Sequence, residues 1–143
     1  MASEVVANLR WYLELDGVTE GIFREVSGLD SETEVVEHRH SGKGGNIVVN
    51  KIPGALKFPN ITLKRGVTNE MNLHNWRKDI EQGKITRKNG SVTLYAPDGN
   101  VVAKYSFIKA WPCKLQGPSL DATKNDLAVE SLELCHEGLQ RQQ

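Results

Sequence analysis

Two histidines stand two residues apart in a stretch whose pattern predicts a β-strand. His38 and His40 would lie on one face of that strand, because successive side chains alternate between its faces. Imidazole nitrogens bind zinc and similar metals, but a structural or catalytic site takes three or four protein ligands. No other His or Cys lies nearby in the sequence. We therefore interpret the pair as exposed strand histidines and predict no metal site.

A thiol nucleophile is the second chemistry that the residue types allow. Cys113 could be combined with His136 and one of several acids, but no local signature of a thiol enzyme surrounds it. Cys113 and Cys135 are the only two cysteines and are far apart in the sequence. In a reducing cytoplasm we expect both to be reduced and to behave as small hydrophobic residues.

Two further stretches have a composition that can do chemistry. Gly42-Lys43-Gly44-Gly45 is rich in glycine like a phosphate-binding loop, but it lacks the Walker spacing and the helix that should follow. Asp121 and Asp126 bracket a turn-rich segment and are better explained as turn or capping residues than as an acid–base pair. We therefore predict no catalytic residues, no cofactor and no enzymatic activity.

The composition favours a single domain, residues 1–143, since neither a linker nor an internal repeat divides the chain. Eighteen basic and eighteen acidic residues give a formal net charge of zero, which argues against general attraction to nucleic acid or anionic membranes. The first ten residues contain Glu4 and no apolar core of signal-peptide length, and no apolar run approaches the roughly 20 residues of a membrane span. We expect synthesis in the cytoplasm without a signal peptide and no stable membrane insertion.

The clearest local signal is a strand followed by a helix between residues 57 and 83. The strand has the two-residue period of one buried face, formed by Ile61, Leu63 and Val67. The period then becomes helical, with Thr68 placed to cap the first turn, Glu70 near the positive end, and Gly83 placed to end the helix. The residues expected to pack this helix onto the sheet are Met71, Leu73, Trp76 and Ile80.

The remaining signals predict strands and turns. Strands are expected at 11–15, 22–26, 31–40, 85–88, 91–95, 101–110 and 127–136. Asn89-Gly90 has the composition of a hairpin turn, 97–100 that of a second turn, and Trp111-Pro112 is expected to end its strand. A shift in the apolar phase of the last strand predicts a β-bulge near Glu130 or Ser131. The predicted fold is mainly β, an antiparallel sandwich or small barrel with one flanking α-helix.

Residues 40–56 are predicted to form one long loop or arm. A glycine-rich part precedes an apolar run, and the strand at 31–40 is polar on both faces. Such a strand is an exposed edge in a monomer, and pairing with other copies would remove it. The alternative is a solvated face of an ordinary antiparallel sheet. The candidate arm residues are His40, Gly42, Lys43, Gly44, Gly45, Asn46, Ile47, Val48, Val49 and Ile52.

Several motifs, in order along nearly the whole chain, resemble those of the tail tube proteins of contractile phages. The inner-tube proteins of phage-tail-like extracellular contractile injection systems look most similar. The motifs are Leu13-Glu14-Leu15-Asp16-Gly17, residues 21–29, residues 57–66, Trp76-Arg77-Lys78, Ala110-Trp111-Pro112 and residues 132–139.

This resemblance implies a structural subunit whose function lies in its interfaces. Six copies would form a ring of barrel-like domains, and rings would stack into a hollow tube that a contracting sheath drives through a target envelope. The implied partners are further copies of the chain, the sheath protein, baseplate and tube-initiator or terminator proteins, and protein or DNA cargo in the lumen. The assembled phage tail or phage-tail-like particle can be released outside the cell.

Two alternatives remain open on the sequence. One is the tube protein of the type VI secretion apparatus, which shares the architecture implied by the resemblance. The other is a monomeric β-barrel that binds a small ligand, which would require an apolar interior pocket.

Overall fold

The computed structural model describes residues 10–118 and 128–142. It confirms a mainly β fold in which all strand pairs are antiparallel and one α-helix lies among the described residues. The elements are β1 (Arg10–Leu15), β2 (Val18–Phe23), β3 (Glu25–Ser27), β4 (Glu32–Ser41), β5 (Ile47–Lys57), β6 (Ile61–Gly66), α1 (Asn72–Glu81), β7 (Lys88–Tyr95), β8 (Val101–Gln116), β9 (Val129–Cys135) and β10 (Gly138–Arg141).

Eight of these strands form one sheet that curls back on itself. Its hydrogen-bonded order is β2-β1-β7-β8-β9-β6-β3, with β10 paired to β8. β2 and β3 stand at opposite ends of this order, yet only Arg24 separates them in the chain. The two ends must therefore lie side by side, and the Arg24 main-chain N–H donates to Lys64 O on β6 at 3.1 Å. The sequence predicted one short strand at 22–26, where the chain instead passes from one end of the sheet to the other.

The core fills the inside of the curled sheet and the space under α1. Inward positions alternate with outward ones along β1, β6 and β9, as the two-residue period of a strand requires. Because side chains fill the interior, the fold gives no support to a barrel with an apolar ligand pocket inside. The buried core residues are Leu13, Leu15, Phe23, Ile61, Leu63, Leu73, Trp76, Val92, Phe107, Ala110, Leu132 and Leu134.

β8 is long enough to pair with different strands along its length. Its first part pairs with β7 and β10, and its second part pairs with β9. The prediction that Trp111-Pro112 ends this strand is wrong. The pairing with β9 is irregular between Pro112 and Lys114, and a bulge can accommodate a proline that has no N–H to donate. Lys109, with φ 52°, marks a second departure from regular strand geometry.

The predicted hairpin turn at Asn89-Gly90 is also wrong, because β7 continues through both residues. The pairing with β8 is irregular between Lys88 and Gly90. A Cβ atom on Gly90 would collide with Glu14 O, so glycine permits the close approach of β1. Asn89 O accepts a hydrogen bond from the main-chain N–H of Asp16 at 2.8 Å. The Asn-Gly pair thus marks a bulge inside a strand, whereas the turn predicted at 97–100 is present.

The bulge predicted near Glu130 or Ser131 is absent from the β6–β9 pairing. That ladder is regular from Ile61–Leu134 to Gly66–Val129. Glu130 occupies an inward position and is 4% exposed, so a buried charged residue stands where an apolar one was expected. The apolar pattern along the sequence changes phase because a charged residue occupies an inward position of β9, while the strand itself is uninterrupted.

The ends of α1 partly match their predicted signals. Thr68 does not cap the helix: its Oγ1 accepts from the Glu70 main-chain N–H at 3.2 Å, which closes a turn before the helix begins. Gly83 does follow the last turn, with φ 85°, and its N–H donates to Ile80 O at 3.0 Å. Within the described ranges, no helix is both long and apolar enough to cross a membrane.

Candidate assembly surface

The predicted arm forms most of a separate β-hairpin. β4 and β5 pair with each other in a two-stranded sheet outside the large one. The prediction of a loop over 40–56 is therefore wrong from Ile47 onward, where eleven residues are in strand conformation. Every residue of both strands is exposed. At about 3.3 Å per residue, the hairpin is about 30 Å long.

The glycine-rich part of the arm forms the turn of this hairpin. The Gly42 main-chain N–H donates to Asn46 O at 2.6 Å, and Lys43–Gly45 form a single 3-10 turn between them. Gly44 and Gly45 both have φ 78°, a conformation that L side chains rarely adopt. These glycines thus permit the tight reversal, and a strand follows them where a phosphate-binding loop would be followed by a helix.

Pro53 and Gly54, which follow the apolar run, lie within β5 and do not end it. Pro53 pairs with Val35 beside a register irregularity that lies between Thr33 and Val35. A Cβ atom on Gly54 would lie 3.0 Å from both Glu34 O and Val36 Cγ2, so a larger residue would disturb the pairing. The bulge places Gly54 and Ala55 opposite the single residue Glu34, and pairing continues to Lys57.

Both faces of the hairpin combine apolar and polar side chains. Cross-strand partners share a face, and the pairs on one face are Val36–Ile52, His38–Asn50 and His40–Val48. The pairs on the other face are Glu37–Lys51, Arg39–Val49 and Ser41–Ile47. Ile47 is 72% exposed. The large hydrophobic residues that the hairpin exposes are Val35, Val36, Ile47, Val48, Val49, Ile52 and Leu56.

The residues predicted to pack the helix differ in their burial. Leu73 and Trp76 are buried, and the Trp76 indole Nε1–H donates to Thr86 O at 2.8 Å. Ile80 is half-buried. Met71 directly precedes α1 and is 54% exposed, so it does not belong to the buried face.

The thiol combination considered from the sequence is not assembled. The Cys113 thiol donates to Glu133 O at 3.4 Å, while the two ring nitrogens of His136 lie 3.2 Å from Gly138 O and 3.1 Å from Pro59 O. Burial, followed by the nearby negative charge of Glu133, raises the pKa of the Cys113 thiol and so disfavours the thiolate. Asp121 and Asp126 lie outside the described residues.

A family model decides between the remaining possibilities. The model of the T4-like virus tail tube protein gp19 matches residues 7–140. The chain belongs to this tail tube family. The resemblance inferred from the sequence motifs is thereby confirmed, and so is the prediction of a structural protein that is not an enzyme.

Solved structures of contractile injection systems contain chains similar to this tail tube protein. A chain in the extended sheath-tube complex of the PVC extracellular contractile injection system is 29% identical, with a TM-score of 0.77, and the match covers 93% of this chain and 88% of that one. A chain in the tube-terminating cap of the anti-feeding prophage is 30% identical, with a TM-score of 0.76 and coverage of 93% and 87%.

A more distant likeness, to a type six secretion system protein that is 10% identical with a TM-score of 0.60, concerns the fold alone. Hcp1 from Flavobacterium johnsoniae is 16% identical, with a TM-score of 0.56 and coverage of 92% and 94%. The type VI alternative therefore fits this tail tube protein less well than a contractile injection system does. No curated protein matches the chain.

Sequence reasoning missed a buried ion pair in this tail tube protein. Arg65 Nε lies 2.8 Å from Glu130 Oε1, and both side chains are almost fully buried. Arg65 also lies 3.5 Å from Glu70, and His74 Nε2 on α1 lies 3.3 Å from Glu130 Oε2. The predicted strand face should have contained Val67, but β6 ends at Gly66 and Val67 is 51% exposed. The two-residue period of the strand could have predicted that Arg65 is buried, because it places Arg65 on the same face as Ile61 and Leu63.

Proposed function

We propose that this protein is the inner-tube subunit of a contractile injection system or phage tail, and that the β4–β5 hairpin joins copies of it. Six copies would form a ring and the rings would stack into a hollow tube. Membership of the tail tube family, together with a fully exposed hairpin beside a well-packed body, supports the proposal. The 6-fold symmetrised anti-feeding prophage baseplate, which contains a chain 21% identical to this one, is consistent with rings of six.

The low stability expected of an isolated hairpin favours a partner for β4 and β5. An isolated two-stranded hairpin is marginally stable in water, because its ordering entropy is not offset by a buried apolar face. Fully burying a Val or Ile side chain contributes about 1.5–3 kcal/mol. Contact with another copy would bury the exposed apolar residues of the arm and so order it. The exposed strand edges could be covered in the same contact.

The sheath and the baseplate are the expected partners outside the tube. The similar chains lie in PVC sheath-tube, PVC sheath/tube-terminator and anti-feeding prophage cap and baseplate structures. We propose corresponding partners here, including initiator and terminator proteins, with protein or DNA cargo in the lumen. The subunit would be made in the cytoplasm and released as part of the assembled particle.

Deletion of residues 42–49 tests the role of the hairpin. The deletion removes the turn and the first three residues of β5, but it spares the curled sheet and its core. The variant should remain folded by circular dichroism and should form no tubes by negative-stain electron microscopy. Val102→Ser is the control, since Val102 is an exposed apolar residue of β8. Tubes of normal length from the deletion variant would refute the role of the arm.

A further inference from the structure

The hairpin brings its two histidines into an arrangement that suits a metal ion. His38 and His40 lie on the same face of β4, and their ring centroids are 5.6 Å apart. The pairing from Val36–Ile52 to Ser41–Ile47 is uninterrupted, so the strand holds the two side chains at a defined spacing. Both residues are exposed. They are therefore accessible to an ion from solvent.

The separation of the rings can be compared with the requirement of a shared metal ion. With metal–nitrogen bonds of about 2.0–2.1 Å, two imidazole centroids lie about 5.2 Å apart at a tetrahedral angle and about 4.5 Å apart at the right angle of a tetragonal Cu²⁺ site. The observed 5.6 Å exceeds the first separation by a few tenths of an ångström and the second by about 1 Å. Rotation about the side-chain bonds of exposed residues can supply that difference without moving the backbone.

The neighbouring cross-strand pairs place no positive charge beside the two rings. On this face they contribute Val36, Ile52 and Val48, while the charged Glu37, Arg39 and Lys51 lie on the opposite face. Asn50 is paired with His38, and its Nδ2 lies 3.0 Å from His40 Nε2. That ring nitrogen is therefore directed across the strands at a polar partner, which a metal ion can replace.

The prediction of no metal site rested on the three or four ligands of a structural or catalytic centre. We infer that His38 and His40 nevertheless form a two-histidine site for a borderline divalent transition metal ion, with water in the other positions. Imidazole suits Cu²⁺, Ni²⁺ and Zn²⁺, and Cu²⁺ binds most tightly of these. The described residues contain no group of three His, Cys, Asp or Glu side chains that could hold a metal ion. The site is therefore exchangeable rather than structural. The inference requires the hairpin alone and does not rest on the proposed tube function.

Titration of the untagged subunit with Cu²⁺ at about pH 7.5, followed by electron paramagnetic resonance, tests the site. We expect one ion per chain with two nitrogen ligands. Losing the second ligand of a chelate removes a gain of about 10²–10⁴ in affinity, so His38→Asn and His40→Asn should each weaken binding by about 100-fold or more. Zn²⁺ should compete for the same site.

Two controls make the result decisive. The double variant His38→Asn/His40→Asn retains His74 and His136. Any Cu²⁺ that this variant still binds is therefore held by the rest of the chain. Arg39→Gln changes the opposite face of the same strand and should bind Cu²⁺ as the wild type does. Equal affinity in the wild type and the double variant, a one-nitrogen spectrum, or loss of binding in Arg39→Gln would each overturn the inference.

Discussion

Arg65 and Glu130 place a full positive and a full negative charge among apolar side chains. The Arg65 guanidinium also lies over the Phe23 ring, 5.1 Å from its centroid, so the arginine links β6, β9 and β2. A buried pair of this kind adds little net stability over apolar residues, but removing one partner leaves an uncompensated buried charge. Removing one member of the pair is therefore expected to lower stability more than replacing both members with apolar residues.

A double-mutant cycle measures this dependence. Arg65→Met and Glu130→Leu should each lower the free energy of unfolding by about 3–5 kcal/mol, because each leaves its partner buried without its nearest counter-charge. The double variant should lose less than the sum of the two, since neither member of the pair is left buried without the other. Urea denaturation of the four proteins provides the measurement. Additive losses would show that the two charges do not depend on each other.

Gly21 is a second residue that the ion pair constrains. A Cβ atom at this position would lie 2.7 Å from Arg65 Nη1 and 3.2 Å from Phe23 Cε2. Gly21→Ala should therefore displace the guanidinium and cost about 1–3 kcal/mol, as overpacking does. Gly117→Ala is the matched control, because no atom lies within 4 Å of its added Cβ. Equal stability of the two variants by denaturation would contradict the crowding at Gly21.

The Cys113 thiol should react slowly with alkylating agents. Its raised pKa keeps the thiolate fraction low until the pH exceeds the ordinary thiol value of about 8.5. The protonated form is thus favoured in the folded state, and the stability that this adds is lost as the pH rises through the folded pKa. In a Cys135→Ser variant, the iodoacetamide rate should rise at higher pH than in the same protein unfolded in urea. Coincident pH profiles would be inconsistent with burial of this thiol.

Among the elements, the sequence predicted best where local pattern and tertiary environment agree. β1, β6 and α1 each have one apolar face that the fold buries, so their periodicity was sufficient. The predictions at Asn89-Gly90 and Pro112 failed because neighbouring strands accommodate residues that usually end a strand. The predicted bulge in β9 failed because Glu130 is compensated by Arg65, a residue distant in sequence. β5 was missed because both its faces are mixed.

At the scale of one element, Trp76 is the larger of the two buried side chains of α1. Trp76 is 4% exposed and lies in the core beneath the helix. Trp76→Ala should lower the free energy of unfolding by about 3–5 kcal/mol, as expected for truncation of a large core residue. Lys78→Ala, at an exposed position of the same helix, should change it by less than about 0.5 kcal/mol. A loss below about 1 kcal/mol for Trp76→Ala would show that this side chain does not anchor the helix.

The whole molecule combines two parts of different expected stability. The curled sheet buries a continuous apolar core, whereas the hairpin exposes all of its residues. The sequence indicated an arm of unusual composition, but the register between its strands follows from cross-strand pairing over about ten residues on each side. The surface that the arm is proposed to contact in another copy belongs to the assembly and cannot be read from a single chain.

Hydrogen exchange should distinguish these two parts and show when the hairpin is covered. In the isolated subunit, main-chain amides of β4 and β5 should exchange faster than those of β6 and β9, because local opening of the hairpin exposes no core. In assembled tubes the hairpin amides should slow by more than the core amides, if contact between copies orders the arm. Mass spectrometry of both states, at matched pH and temperature, gives the comparison. Equal protection of the hairpin in the subunit and in tubes would place the contacts between copies elsewhere on the molecule.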